Sequence, residues 1–182
     1  MPIIPTHMFF TKGVGKHNNC LESFETALRS AGIAQLNLVR VSSILPPGCK
    51  IIPRSQGLKK LSPGQITHVV LAECRTDEPN RLCGAGIGLA VPADPQKHGY
   101  ISEHHGFGLK YRKVADLVED MAASMLATTF GIKLDPETAY DERREIYRSS
   151  KLIVRTRAVV QTCEGDKNGL WTTAVAAAVF TY

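Results

Sequence analysis

Two adjacent serines, Ser42 and Ser43, stand where an extended segment meets two prolines in the stretch VSSILPP, residues 41–47. A serine hydroxyl is a potential nucleophile when its surroundings activate it. The prolines fix their own φ and keep the preceding residue out of the helical region, so the backbone after the serines is stiffly extended. Taken alone, these seven residues favour an ordinary strand end with polar turn residues.

Two glycine motifs are partly similar to nucleotide-binding loops. The run GAGIG at residues 84–88 has GxGxG spacing, but it continues as an apolar strand at Leu89 instead of opening a helix. Small residues that let two layers approach closely are the favoured interpretation. The sequence GVGK at residues 13–16 lacks the earlier glycine of a P-loop and is followed by His17, where Ser or Thr would hold magnesium. We discard it.

Histidines and cysteines give no recognisable metal pattern. His104 and His105 are adjacent, so on a strand they point to opposite faces and cannot share one metal ion. The five cysteines are odd in number and contain no CxxC pair, which indicates neither a disulfide framework nor a zinc site. We interpret Cys49 and Cys83 as small buried residues and expect no metal.

The composition is typical of one globular domain. The 182 residues are 43% hydrophobic and 21% charged, which excludes disorder and collagen-like repeats. The net charge of +5 comes from scattered residues and favours solubility rather than nucleic-acid binding. No apolar run reaches the roughly 18 residues of a membrane helix, and residues 1–10 lack the features of a signal peptide. We expect a cytoplasmic protein that binds neither nucleic acid nor membrane.

The pattern of apolar residues predicts two long helices among about seven strands. Asn19 can cap a helix over residues 20–31 that ends at Gly32, and a second amphipathic helix covers residues 109–130. A loop is expected at 49–64, a hairpin turn at 164–169 and a short surface helix within 135–150. This order favours an α+β fold, with mixed or antiparallel sheets packed as an αββα sandwich. Strands are predicted at residues 33–41, 66–73, 83–91, 99–104, 152–163 and 170–182.

The segment NLVRVSSILPP, residues 37–47, resembles the processing site of pyruvoyl-dependent arginine decarboxylases, whose proenzyme is cut between the two serines. Three further segments carry the resemblance. LESFETALRSAGI at 21–33 resembles the family's preceding helix, and ISEHHG at 101–106 resembles the strand with its catalytic glutamate. TAVAAAVFTY at 173–182 is similar to its final strand. The resemblance therefore spans most of the chain.

The resemblance implies self-cleavage into residues 1–42 and 43–182. The Ser43 hydroxyl would attack the carbonyl of Ser42, and elimination of the resulting ester would leave a pyruvoyl group at position 43. The family uses this ketone, without pyridoxal phosphate or metal, to form a Schiff base with the substrate amine. The expected reaction converts L-arginine to agmatine and carbon dioxide.

By the same resemblance, Glu103 protonates the substrate α-carbon. That role requires a carboxyl kept protonated near neutral pH by apolar surroundings. Asn37 is the family's second polar residue, and on an extended strand it shares a face with Ser43. A six-residue separation spans about 20 Å, so we expect a bend or a neighbouring subunit to bring Asn37 to Ser43.

The resemblance also implies the substrate pocket. Glu25 would pair with the guanidinium group of arginine, while Leu36 and Ser42 would line the pocket. Glu25 stands where arginine-specific members carry Asp, and its additional methylene would shorten the pocket. Two alternatives therefore stay open: the same chemistry on another amino acid, and an uncleaved relative that serves as a binding or assembly module. The family's architecture implies a homotrimer of cleaved protomers with sites at the subunit interfaces.

Overall fold

The computed structural model describes residues 3–132 and 153–182, without the side chain of Val154. In these residues the chain forms two β-sheets with helices on their outer faces. The elements follow in the order β1 (His7–His17), α1 (Cys20–Ala31), β2 (Asn37–Arg40), β3 (Ile44–Leu45), β4 (Lys50–Ile51), α2 (Arg54–Leu58), β5 (Ile66–Thr76), β6 (Leu82–Pro92), β7 (Gly99–Phe107), α3 (Tyr111–Thr129), β8 (Ile153–Glu164) and β9 (Trp171–Thr181).

Helix α1 begins and ends where the sequence predicts. The side-chain oxygen of Asn19 accepts hydrogen bonds from the backbone N–H groups of Leu21 and Glu22, at 2.9 and 3.2 Å, and so caps the first turn. Gly32 ends the helix in the left-handed conformation, at φ 78°, and donates its N–H to the carbonyl of Arg29. These signals are local, which is why the sequence alone predicts the helix.

The larger sheet, sheet A, has five strands in the order β2-β5-β9-β1-β4. Its centre is antiparallel, and β9 pairs with β1 along all 11 residues of β1. The short edge strands β2 and β4 pair in parallel with their neighbours. The smaller sheet, sheet B, has the order β3-β7-β6-β8 and is antiparallel throughout.

The two sheets pack face to face and enclose the main hydrophobic core. Met8 and Val70 of sheet A belong to one buried cluster with Ile87 and Ile101 of sheet B. Helix α1 covers the outer face of sheet A, and α3 covers the outer face of sheet B. The predicted α+β sandwich of the αββα type is therefore confirmed.

One prediction about the strands near the N-terminus is wrong. The strand predicted at residues 33–41 is confined to β2, because Ile33 and Leu36 donate their N–H groups to the carbonyls of Leu28 and Ile33 in a turn. The first apolar residues, Met8 to Phe10, are only the beginning of the long strand β1. Pairing with β9, which is distant in sequence, extends β1 to His17.

Two predicted connections also differ from the structure. The turn at residues 164–169 is not a hairpin, because β8 belongs to sheet B and β9 to sheet A, so it joins the two sheets. The predicted loop at 49–64 contains β4 and the short helix α2. The other strands and α3 agree with the prediction, with ends shifted by a few residues, and the predicted helix within 135–150 lies outside the described residues.

The glycines of β6 allow α3 to lie directly on sheet B. A Cβ atom added to Gly88 would lie 2.0 Å from the carbonyl oxygen of Val118, and one added to Gly86 would lie 2.7 Å from Cγ1 of Val114. Both contacts are too short for any side chain, so these positions must be glycine. The interpretation of the GxGxG run as packing residues is confirmed.

Replacing Gly88 by Ala should destabilise the fold by about 2–3 kcal/mol, because the methyl group would have to displace the backbone of α3. Gly84→Ala is the matched control, since a Cβ atom there makes only an ordinary contact of 3.4 Å with Thr162. Urea unfolding followed by circular dichroism measures both changes. Equal stability of the two variants would contradict the close packing of α3 on β6.

Candidate active site

The chain between β2 and β3 crosses from the edge of sheet A to the edge of sheet B. On one side the N–H of Val41 donates to the carbonyl of Val69 at 3.0 Å. On the other, the N–H of Ile101 donates to the carbonyl of Ser43 at 2.7 Å. Ser42 lies between these anchors and is exposed. We call residues 41–43 the crossing span.

The carbonyl of Ser42 takes part in a tight turn within the crossing span. The N–H of Ile44 donates to it at 3.1 Å, which closes a three-residue turn around Ser43. A donor at this distance also suits the negative oxygen that develops when a nucleophile adds to a carbonyl carbon. The residues present therefore fit the formation of a pyruvoyl group at position 43.

Glu103 lies close to Ser43 along the edge of sheet B. Ile44 stands opposite Tyr100 and Leu45 opposite Gly99, and the same register sets Ser43 opposite Ile101. Opposite residues point to the same face, and the next residue of β7 on that face is Glu103. Such diagonal neighbours are about 7–8 Å apart, within reach of a long side chain.

The surroundings of Glu103 differ from those predicted. β3 covers the edge of β7 only as far as Ile101, and Glu103 beyond it is exposed. His104 points to the opposite face, where burial, together with the charge of His105, lowers its pKa. The described residues of one chain therefore do not enclose the Glu103 carboxyl in an apolar pocket.

The predicted catalytic residue Asn37 and the predicted substrate-binding residue Leu36 line one cavity of about 390 Å³ beside β2. Asn37 donates from its side-chain nitrogen to the carbonyl of Gly64 at 2.7 Å, and Leu36 is buried. We call this the Asn37 cavity. Its walls include Phe24, Leu28, Leu36, Asn37, Leu71 and Glu73.

Charged residues that the sequence did not single out also line the Asn37 cavity. Glu73 accepts hydrogen bonds from the guanidinium groups of Arg40 and Arg75, at 2.7 and 3.0 Å. The guanidinium of Arg75 lies 4.3 Å from the ring centre of Phe24. Alternation along β5 indicates that Glu73 lies on the outer face of sheet A, but only the fold shows that this face meets Asn37.

Glu25 lies at the rim of the Asn37 cavity. It follows Phe24 on α1 and precedes Leu28 by three residues, and both of these neighbours are wall residues. Its carboxylate accepts a hydrogen bond from Nε of Arg29 at 2.7 Å, and its side chain is 42% exposed. The carboxylate is therefore accessible and already binds one guanidinium group.

A second cavity, of about 330 Å³, lies against the crossing span. We call it the Ser42 cavity; its walls include Val41, Ser42, Ile44, His68, Phe180 and Tyr182. The Tyr182 hydroxyl and Nδ1 of His68 are 2.5 Å apart, and burial raises the pKa of Tyr182. His68 and Tyr182 are distant from Ser42 in sequence, so no motif could have predicted this pair.

The structure groups the predicted site residues in separate places. Leu36 and Asn37 line the Asn37 cavity, Glu25 stands next to its wall residue Phe24 on α1, and Ser42 lines the Ser42 cavity. Ser43 and Glu103 share the inner face at the edge of sheet B. Within one chain, Asn37 is therefore not brought into the cavity beside the serines, although the chain bends between them.

Residues 3–132 and 153–182 contain neither a metal-binding cluster nor a membrane-spanning helix. Within these ranges, no group of three or more His, Cys, Asp or Glu residues could hold a metal ion. His104 and His105 point to opposite faces of β7, as the sequence predicts. Among the described helices, none is both long and apolar enough to span a membrane.

Comparison with known proteins defines the class of protein to which this fold and site belong. The sequence model of the family described as pyruvoyl-dependent arginine decarboxylase matches residues 7–182. That range contains the crossing span, the Asn37 cavity and Glu103. It also contains the residues that line the Ser42 cavity, except Ile3 and Pro5. The chain belongs to the pyruvoyl-dependent arginine decarboxylase family.

Individual relatives match the chain almost from end to end. A probable pyruvoyl-dependent arginine decarboxylase of Chloroherpeton thalassium is 54% identical over 179 residues, which is 98% of each chain. Pyruvoyl-dependent arginine decarboxylase 2 of Methanosarcina mazei is 53% identical over 98% of this chain and 97% of its own. The pyruvoyl-dependent arginine decarboxylase of Methanococcoides burtonii is 51% identical over 98% and 99%.

Proposed function

We propose that this chain is a self-cleaving carboxy-lyase that converts L-arginine to agmatine and carbon dioxide with a pyruvoyl group formed from Ser43. The observation that carries the proposal is the crossing span, in which the Ser42 carbonyl accepts a hydrogen bond from Ile44 directly before Ser43. The names of relatives at more than 50% identity support the same substrate and the same group.

The proposed cleavage uses one water and releases one ammonia. Oγ of Ser43 adds to the carbonyl carbon of Ser42, and the amide nitrogen departs to leave an ester. The N–H of Ile44 is placed to stabilise the intervening oxyanion. Loss of the α-proton of residue 43 expels the Ser42 carboxylate and leaves dehydroalanine, and water then replaces its nitrogen as ammonia. The products are residues 1–42 and 43–182.

Replacing Ser43 by Ala should abolish cleavage and decarboxylation together, because the variant lacks the attacking oxygen. Ser42→Ala is the matched control for the cleavage alone, since it keeps the attacked carbonyl and removes only a neighbouring hydroxyl. A denaturing gel with intact-mass spectrometry gives the chain pattern, and carbon dioxide release from arginine gives the activity. One unbroken chain in the unaltered protein, or two fragments in the Ser43→Ala variant, would refute the proposed cleavage.

Glu103 is proposed to hold a proton and deliver it to the substrate α-carbon. The pyruvoyl group supplies an electrophilic ketone that takes up the substrate amine and accepts the electron pair released with carbon dioxide. The register supports the role of Glu103, because its side chain follows that of Ile101 on the face shared with position 43. The carboxyl must stay protonated near neutral pH, so it needs apolar surroundings.

We propose that a neighbouring protomer in a homotrimer supplies these surroundings. Large apolar side chains on and near the crossing span are exposed: Val39 at 42%, Val41 at 37%, Ile44 at 39% and Ile66 at 64%. Apolar patches of this kind usually pack against another chain. Head-to-tail packing in a closed ring would set the Asn37 cavity of one protomer against Ser43 of the next, which accounts for their separation within one chain.

Glu103→Gln should leave cleavage intact and lower kcat at least about 100-fold, because the amide cannot give up a proton to carbon. Glu164→Gln, which changes another exposed carboxylate of sheet B, is the control and should keep full activity. Steady-state kinetics and a denaturing gel give the two readouts. Unchanged turnover in Glu103→Gln would remove Glu103 from the mechanism.

The same variant tests whether the site is shared between protomers. Co-expression of Glu103→Gln with Asn37→Ala should restore part of the activity that each variant lacks alone, since some interfaces then combine an intact Asn37 with an intact Glu103. Mixed assemblies that remain inactive would contradict the shared site while leaving the proposed cleavage in place.

The substrate side chain is proposed to occupy the Asn37 cavity. Leu36 would pack against its methylene groups, and Glu25 at the rim would bind the guanidinium group. At the reacting end of the substrate, Asn37 would meet Ser42 and position 43 of the neighbouring protomer. Glu25 already accepts the guanidinium of Arg29 at 2.7 Å, so the substrate would replace an equivalent partner.

Glu25→Gln should raise the KM for arginine about 10-fold with a small change in kcat, because the charged part of a hydrogen-bonded pair is lost. Glu73→Gln is the informative comparison, since Glu73 lines the same cavity but is held by Arg40 and Arg75. Initial rates with arginine, lysine and ornithine measure the preference. A larger KM effect from Glu73→Gln would move the guanidinium contact to Glu73.

A further inference from the structure

Three of the five cysteines meet in the core between the sheets. Cys83 of β6 stands directly opposite Cys163 of β8, and Cys74 of β5 faces them from sheet A. Cys74 and Cys83 belong to one buried core cluster and Cys163 packs against it, so that Cys83 influences the pKa of both other thiols. Cys74 also donates to the carbonyl of Gly106 at 3.3 Å. The proposed decarboxylation uses none of these thiols.

The three thiols differ in access and in acidity. Cys83 is fully buried, Cys74 is 4% exposed and Cys163 is half-buried, so Cys163 is the member that solvent can reach. The hydrogen bond from Cys83 lowers the pKa of Cys163 and that of Cys74, while the bond with Cys163 raises the pKa of Cys83. The reachable thiol is therefore also one of the two that ionise more readily, as reaction with an oxidant requires.

The geometry suits a disulfide between neighbouring members. Opposite residues of antiparallel strands have Cα atoms about 4.5–5.5 Å apart, within the range of about 4.4–6.8 Å that disulfides need. Cys83 and Cys163 are such a pair. Cys74 lies in the same core cluster on the facing sheet, so it is placed to exchange with a disulfide formed there.

We propose that Cys163, Cys83 and Cys74 form an oxidation site that reacts with hydroperoxides and stores the product as a disulfide in the core. The Cys163 thiol attacks a peroxide oxygen, giving a sulfenic acid and one water. The Cys83 thiol then attacks the Cys163 sulfur, forming the disulfide and releasing a second water. The two thiols lose two electrons in total, and hydrogen peroxide gains them.

A thiol–disulfide exchange completes the sequence. The Cys74 thiolate attacks the Cys83 sulfur, and Cys163 leaves as a thiolate that takes up the proton lost by Cys74. The final Cys74–Cys83 bond joins β5 of sheet A to β6 of sheet B. It also removes the S–H group that Cys74 donates to Gly106 on β7. This site is independent of the proposed function, since it shares no residue with it.

The test exposes the folded, full-length protein to a small excess of hydrogen peroxide, then unfolds and alkylates it for intact-mass and peptide analysis. We expect the number of alkylated thiols to fall from five to three, with a mass loss of two hydrogens. Peptide analysis should find two peptides joined by a Cys74–Cys83 disulfide, and dithiothreitol should restore all five thiols. Cys74→Ser should stop the sequence at a Cys83–Cys163 disulfide.

Two further variants separate the site from general thiol oxidation. Cys163→Ser should keep all four remaining thiols under the same exposure, because the reachable member is missing. Cys49→Ser, which removes a half-buried thiol elsewhere, should lose two thiols at the rate of the unaltered protein. Five alkylated thiols after treatment, oxygen added to Cys163 without a disulfide, or equally fast loss in Cys163→Ser would overturn the proposal.

Discussion

Residues 41–43 are held across the gap between two sheet edges by two backbone hydrogen bonds, and the candidate site depends on this arrangement. The bond from Val41 to Val69 fixes one end in sheet A, and the bond from Ile101 to Ser43 fixes the other end in sheet B. Because the second bond continues the register of β3 with β7, it sets Ser43 opposite Ile101 and makes Glu103 the next residue on that face. The Ser42 carbonyl is held separately, by the turn that the Ile44 N–H closes.

Features with local causes could be predicted from the sequence. Asn19 and Gly32 bound α1 because a cap needs only the neighbouring residues, and the glycines of β6 indicated close packing because their neighbours are apolar. The extent of β1 and the placement of β8 and β9 in different sheets could not be predicted. Both depend on pairing with strands far away in sequence, which a local pattern does not contain.

Some residues of the candidate site could likewise be predicted from the sequence, and others could not. Ser42, Ser43, Asn37 and Glu103 were found because they lie in short segments that resemble one family, and the sequence of β7 already places Glu103 on a strand. His68, Tyr182 and Glu73 carry no such motif, and only the fold places them beside Ser42 or Asn37. The apolar surroundings expected for Glu103 could not be found from the sequence either. In the described residues of one chain, the edge of β7 beside Glu103 is uncovered and the side chain is exposed.

The strand order determines how the two chains would stay associated after cleavage of the backbone between Ser42 and Ser43. Residues 1–42 contribute β1 to the interior of sheet A, where it lies between β4 and β9, both of which come after Ser43. Helix α1 packs on β1 and β9 together, so the two pieces are interleaved in one hydrophobic core. Severing the peptide bond would therefore leave two chains that share one hydrophobic core, with residues 1–42 still held by the pairing of β1 with β4 and β9.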